Sequence, residues 1–258
     1  MYGTVIIDTY TKNEINKIAE ALDDLCSPND GYGWASSGIY SFWNYYTKEL
    51  YYIGLTVDLT ERFKQHNGIR KIDSRSCKYK QILNYFDQYD KLGYSIFVHS
   101  SIDQPVTSKN IYRWAGYDPA EHSIRDFSDE RSRIHLKMVE GILIETYRIK
   151  HGVIPPWNQV QGYSLGQSAA TQGNYEIINC FTHDYTSPLV SRYTLRELSE
   201  NPTYATYEIF LHGARQLMLN MGLSYGEALK WIRNPLVDPL NTYDDIVNTG
   251  YYRHALNI

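Results

Sequence analysis

Between Gly38 and His66 the chain carries four side chains whose chemistry suits an anionic ester: Tyr40, Tyr52, Arg62 and His66. A guanidinium is a planar fork of donors that fits a phosphate better than an ammonium does, and it stays charged at any working pH. Phenols titrate at about pH 10 and imidazole at about 6.5, so either exchanges a proton once its surroundings adjust that value. Arg62 and His66 stand at i and i+4 and share one helical face. A strand ends at Tyr52 just before that helix, so the spacing permits all four side chains to converge on one concave surface. Taken singly they carry little weight, because the chain holds 25 tyrosines.

Two aromatic, β-branched runs, Gly38 to Trp43 and Tyr51 to Gly54, flank the polar stretch Thr47-Lys48-Glu49 and predict an antiparallel hairpin. After Gly54 the period becomes helical through Leu59, Phe63 and His66, with Thr56 or Asp58 as N-cap. A third strand is expected over Tyr94 to His99, preceded by a helix over 80–90. Ser128 is the expected cap of a long helix reaching Lys150, with Leu136, Val139, Leu143 and Tyr147 on its buried side. That helix holds two acids, Glu140 and Glu145, about 140° apart around the axis, so they cannot face one point.

The runs Gly38-Ile39-Tyr40 and Tyr52-Ile53-Gly54, with Arg62 and His66 following, resemble the GIY-YIG endonuclease domain. The stretch EGILIETYRIKHGVIPPWN is similar to that family's later helix, which carries a metal-binding glutamate and is followed by a proline and an asparagine. By this resemblance Glu145 is the acid, thirteen residues before Asn158, and Glu140 is the second acid that often precedes it. The resemblance implies an α+β domain with a three-stranded antiparallel sheet flanked by helices. It also implies a metal-dependent DNA endonuclease, restriction-, homing- or phage-type, in which Glu145 holds one Mg²⁺ or Mn²⁺ and Arg62 holds the scissile phosphate. Tyr40, Tyr52 and His66 remain alternatives for the general base. Asn158 is expected to fix the end of the metal-bearing helix. Leu55 departs from some relatives, which carry a lysine there.

The net charge of −4 runs against a nucleic-acid partner, since phosphate neutralisation dominates such affinity. By segment, residues 1–35 carry −4, residues 36–160 carry +3 and residues 161–258 carry −3. Within the middle segment Lys64, Arg70, Lys71, Arg75, Lys78 and Lys80 are opposed only by Asp73, and next to the motif they read as contacts to double-stranded DNA. Three scattered cysteines indicate neither a disulfide framework nor a zinc module. No apolar run has the length of a membrane span and no signal-peptide pattern opens the chain, so a cytoplasmic location is expected.

The expected organisation is a strand-helix extension over 1–35, a nuclease-like domain over 36–160 with an insertion near 67–127, and a mainly helical region over 161–258. The last begins with a Gly-, Ser- and Gln-rich stretch, 161–174, that reads as a linker. A homodimer is compatible with this plan. The rival expectation is a non-catalytic DNA- or protein-binding module on the same scaffold, favoured by the acidic flanks. If the endonuclease expectation holds with these residues in these roles, Arg62→Ala or Glu145→Ala abolishes Mg²⁺-dependent plasmid cleavage without unfolding the chain; full activity in either variant defeats that assignment.

Overall fold

Every residue of the strand Trp34–Asn44 is buried, which an alternating polar face would forbid and which requires helices on both sides of the sheet. The computed structural model describes the chain apart from residues 27–32, 72–76, 106, 108–111, 113–115, 119, 123–129, 183–186 and 257. Four strands, β1 (Tyr2–Tyr10), β2 (Trp34–Asn44), β3 (Leu50–Thr56) and β4 (Leu92–Ser100), form one antiparallel sheet in the order β1-β4-β2-β3. The expected sheet of three strands is therefore corrected to four: the N-terminal strand pairs with β4 from Tyr2 opposite His99 to Tyr10 opposite Leu92. Pairing buries β1 along its whole length, so the strand placed in a separate extension belongs to the central sheet.

Ten α-helices lie among the described residues. α1 (Ile15–Leu25), α2 (Leu59–His66) and α3 (Tyr79–Phe86) cover one face, where Tyr10, Tyr40, Phe42, Tyr52 and Tyr94 meet Leu22, Phe63 and Ile82. The opposite face, with Val5, Ile7, Ile39, Trp43, Ile53 and Phe97, packs on the long α4 (Arg131–His151) through Leu136, Leu143, Ile144 and Tyr147. Local signals explain the helix ends. Asp58 accepts the Glu61 N–H and caps α2, and Gly152, at φ 78°, terminates α4 in the left-handed conformation that glycine adopts without strain. Ser128, the expected cap of α4, lies outside the described residues, as do Trp114 and much of the loop that follows β4.

The linker expected over 161–174 is instead packed structure. α5 (Ser164–Ala169) lies across α4 because three glycines, Gly141, Gly162 and Gly166, let the backbones approach. A Cβ on Gly141 would stand 2.6 Å from the Tyr163 carbonyl oxygen, and one on Gly166 2.9 Å from the Ile142 nitrogen. A composition that resembles a flexible tether is thus a close-contact motif.

Beyond α6 (Tyr175–Asn179) the chain returns to the sheet, where Val5 donates its N–H to Leu189 and its carbonyl accepts from Ser191. α7 (Leu195–Glu200) is tied to β1 by Arg196, which bonds Asp8 at 2.8 Å and Glu14 at 2.7 Å. α8 (Pro202–Met221) carries the fully buried pair Arg215 and Glu208, with Tyr251 donating to Glu208 at 2.6 Å. The helices α9 (Tyr225–Ile232) and α10 (Thr242–Asn248) pack on α8. No helix among the described residues is long and apolar enough to cross a membrane.

These contacts predict opposite effects for two glycine substitutions. Gly166→Ala should lower stability by about 1–3 kcal/mol by forcing α5 off α4. Gly226→Ala in α9, where a Cβ meets nothing within 4 Å, should be neutral or stabilising by up to about 1 kcal/mol. Chemical denaturation of the two variants checks both signs.

Candidate functional site

Tyr40 and Tyr52 come together because the register of the hairpin sets Tyr40 opposite Gly54 and Phe42 opposite Tyr52. All four positions share a face, and the two phenol rings lie 5.7 Å apart across Gly54. A Cβ on Gly54 would stand 2.5 Å from the Tyr52 ring and 2.9 Å from the Tyr40 ring. The glycine is needed because the rings occupy the space above it.

α2 lays Arg62 and His66 over these rings. The Arg62 Nε donates to the Tyr40 oxygen at 3.2 Å, its Nη1 donates to Gln65 at 3.0 Å, and the guanidinium also bonds Tyr52. His66, fully buried, is 2.7 Å from the Tyr40 oxygen through Nε2, while its Nδ1 accepts the Lys78 backbone N–H at 2.8 Å. With Nδ1 used as an acceptor, a neutral ring carries its proton on Nε2 and donates it to Tyr40. Burial and the neighbouring cations Arg62 and Lys78 hold the imidazole well below its ordinary pKa, so the ring is neutral. The Tyr40 oxygen therefore accepts from two donors, and its own proton goes to Tyr52, with which it shares a hydrogen bond. Proton order runs inward to outward: His66 to Tyr40 to Tyr52. Desolvation raises the pKa of both phenols, in Tyr40 well above the usual value, and Arg62 opposes the rise in each.

The acid that reaches this cluster is Glu140. Its Oε1 accepts the Leu55 N–H of β3 at 3.1 Å, and its charge acts on both Tyr52 and Arg62. Burial pushes its pKa up to about 7, against the Leu55 hydrogen bond and Arg62, which pull it down. Glu145, the residue expected to hold the metal, turns elsewhere. Arg148 donates to both of its oxygens, at 2.8 and 2.6 Å, and holds its pKa below the ordinary carboxylate value. The reason is helical geometry. From Leu136 on the sheet-facing stripe, Glu140 is rotated by about 40° and Glu145 by about 180°. An acid inside the apolar stripe of Leu136, Leu143 and Tyr147 was the available signal.

Asn158 is drawn to β3 rather than to the end of α4. Its side chain accepts the Ile53 N–H at 3.0 Å and donates to the Ile53 carbonyl at 2.8 Å, while the Trp157 N–H donates to the Tyr51 carbonyl at 2.8 Å. The exposed edge of β3 is thereby taken up by Trp157, Asn158 and Glu140 in succession.

The basic run divides. Lys71 and Lys80 are exposed, whereas Lys64 and Arg70 pair with Glu61 at 4.0 and 3.4 Å; Arg75 lies outside the described residues. Lys78 is not on the surface. Only 4 % exposed, it places its ammonium 4.9 Å from the centre of the Tyr52 ring, and burial with Arg62 beside it lowers its pKa. It belongs with the tyrosines because its backbone N–H is fixed by His66.

No group of three or more His, Cys, Asp or Glu side chains suited to a metal lies among the described residues. One carboxylate beside phenols suits a hard cation that keeps most of its waters, as Mg²⁺ does, and does not suit zinc, which takes several nitrogen or sulfur ligands. Glu140 fits that description; Glu145, closed by Arg148, does not. Compared with protein-family models, with curated proteins and with solved structures, the chain matches none of them.

A carboxyl whose folded pKa is raised binds its proton more tightly in the native state. Glu140 should therefore cost stability progressively as pH rises from about 4.5, its unfolded value, to about 7, with the full cost present above that. Glu140→Gln keeps an acceptor for Leu55 and removes the charge. Its melting temperature should match wild type near pH 4 and exceed it most at pH 8. A constant difference across that range would contradict the assignment.

Proposed function

We propose that this chain is a metal-dependent DNA endonuclease of the GIY-YIG type, with Tyr40, Tyr52, Arg62, His66 and Lys78 on one side of the reacting phosphate and Glu140 on the other. The observation that carries the proposal is their convergence. Residues from β2, β3, α2 and the start of α3 meet an acid that reaches round the sheet edge from α4.

In this reading Arg62 and Lys78 supply positive charge to the phosphoryl oxygens, and Arg62 keeps the phenols in place through its bonds to both. His66 is a positioning donor to Tyr40, because its proton-free nitrogen is committed to the Lys78 backbone. Tyr40 in turn donates to Tyr52. The Tyr52 oxygen, receiving Tyr40 and Arg62, is then the phenolic oxygen placed to take a proton from the attacking water once Tyr52 has lost its own proton to solvent, an ionisation that both hydrogen bonds favour. A Mg²⁺ or Mn²⁺ held by Glu140 would supply the charge that stabilises the leaving oxygen and lowers the pKa of neighbouring groups. Glu140 takes a cation in its ionised form, so activity rises with pH through about 7.

Supercoiled plasmid incubated with and without Mg²⁺ tests the proposal. Wild type should nick or linearise the plasmid only with the cation, with discrete bands if cutting is site-selective. Arg62→Ala and Glu140→Gln should each lower the rate by about a hundredfold or more, whereas Glu145→Ala should keep it within a few-fold. Loss on Glu145→Ala with activity retained in Glu140→Gln would reverse the assignment of the acid. Tight DNA or protein binding without metal-stimulated turnover would favour a binding module on this scaffold.

A further inference from the structure

One strand residue away from Tyr52 the surface holds a small cavity of about 230 Å³ that the proposed reaction does not use. Its walls are the aromatic rings of Tyr51, Tyr85, Tyr89 and Trp157. Trp157 lies 4.9 Å from Tyr51 at 32°, and Tyr89 lies 4.9 Å from Tyr85 at 31°. The Tyr85 hydroxyl hydrogen goes to the Lys91 carbonyl, and the Tyr51 oxygen accepts from Asn44. A ligand there meets aromatic ring surface with little free hydroxyl from Tyr85. The polar lining consists of three amides, Gln81, Asn84 and Gln88, whose side chains bond no other described residue. No charged side chain lines the cavity, which points to a neutral, flat ligand carrying both donors and acceptors.

We propose that this cavity receives an unpaired nucleobase of the DNA strand whose phosphate sits at Arg62. The proposal rests on the nuclease reading for the position of that phosphate. The volume is below that of a pocket for a drug-sized ligand and suits a single ring system. Rings stack on any base face, and Asn or Gln amides pair with a base edge, adenine most readily. The cavity is joined to the reactive cluster by a covalent neighbour, Tyr51 to Tyr52. It is also joined through Phe42, whose ring lies 6.3 Å from Trp157 and 6.4 Å from Tyr52. α3 supplies Gln81 and Asn84 and starts directly after Lys78, which covers Tyr52; Gln88 follows just beyond its C-terminal end. The substrate favoured by this arrangement is DNA with an unpaired or extruded base beside the cut.

The test uses the full chain and two oligonucleotide duplexes carrying 2-aminopurine, an adenine analogue, paired in one and unpaired opposite a gap in the other. Without divalent cation, the unpaired duplex should bind about tenfold more tightly, and its 2-aminopurine emission should be quenched on binding. Gln81→Ala/Asn84→Ala, at exposed or half-exposed positions of α3, should erase that preference with unchanged melting temperature and unchanged affinity for the paired duplex. Equal affinity for the two duplexes, with no quenching, overturns the proposal. Adding Mg²⁺ separates the two readings. Cleavage of both duplexes at one rate leaves the nuclease standing and removes the base pocket; preference and quenching without cleavage support the pocket and remove the nuclease.

Discussion

The outward edge of β3 is the constraint on which the site depends. An edge strand carries unpaired N–H and carbonyl groups that must find partners or water. Here Ile53 is clamped on both groups by Asn158, Tyr51 accepts from Trp157, and Leu55 gives its N–H to Glu140. Closing the edge in this way draws an acid from a helix on one face of the sheet to phenols on the other. Glu140 is placed by the backbone's need for an acceptor, and the phenols are placed by a glycine that leaves room for both rings.

Burial acts on this cluster in two directions. It fixes the rings, the neutral imidazole and the tautomer of His66, so that the proton order from His66 through Tyr40 to Tyr52 is built into the fold. It also favours the uncharged forms of Glu140 and Tyr52. Ionising either group costs desolvation that an arriving opposite charge would offset. Arg62, already inside, offsets only part of that cost.

Much of the hairpin-helix unit was legible in the sequence because its signals are local. Aromatic and β-branched runs, a polar turn and a capping residue at Thr56 or Asp58 mark β2, β3 and α2 without help from distant residues. The i, i+4 spacing of Arg62 and His66 permitted a meeting with Tyr40 and Tyr52, and the strand register, which the sequence did not show, brings it about. What was not legible depended on partners far along the chain. The pairing of β1 with β4 joins residues some ninety apart, so the first strand read as an extension. Lys78 sits in a run of like charges and is indistinguishable from its neighbours until the His66 ring captures its backbone. The glycines of 161–174 read as a tether because their contact with Gly141 has no sequence signature. The two acids of α4 differ in phase: Glu140 is in step with Leu136, Leu143 and Tyr147, which leaves it half-buried against β3, a signal that the spacing of Glu145 to Asn158 outweighed.

A single cation site governed by one half-buried carboxyl, Glu140, is the central claim, and a Mn²⁺ titration of the full chain followed by water proton relaxation tests it most directly. The account predicts one bound ion per chain, with affinity rising about tenfold per pH unit below pH 7 and levelling above it. Affinity independent of pH between 5 and 8, or a stoichiometry of two, would contradict it.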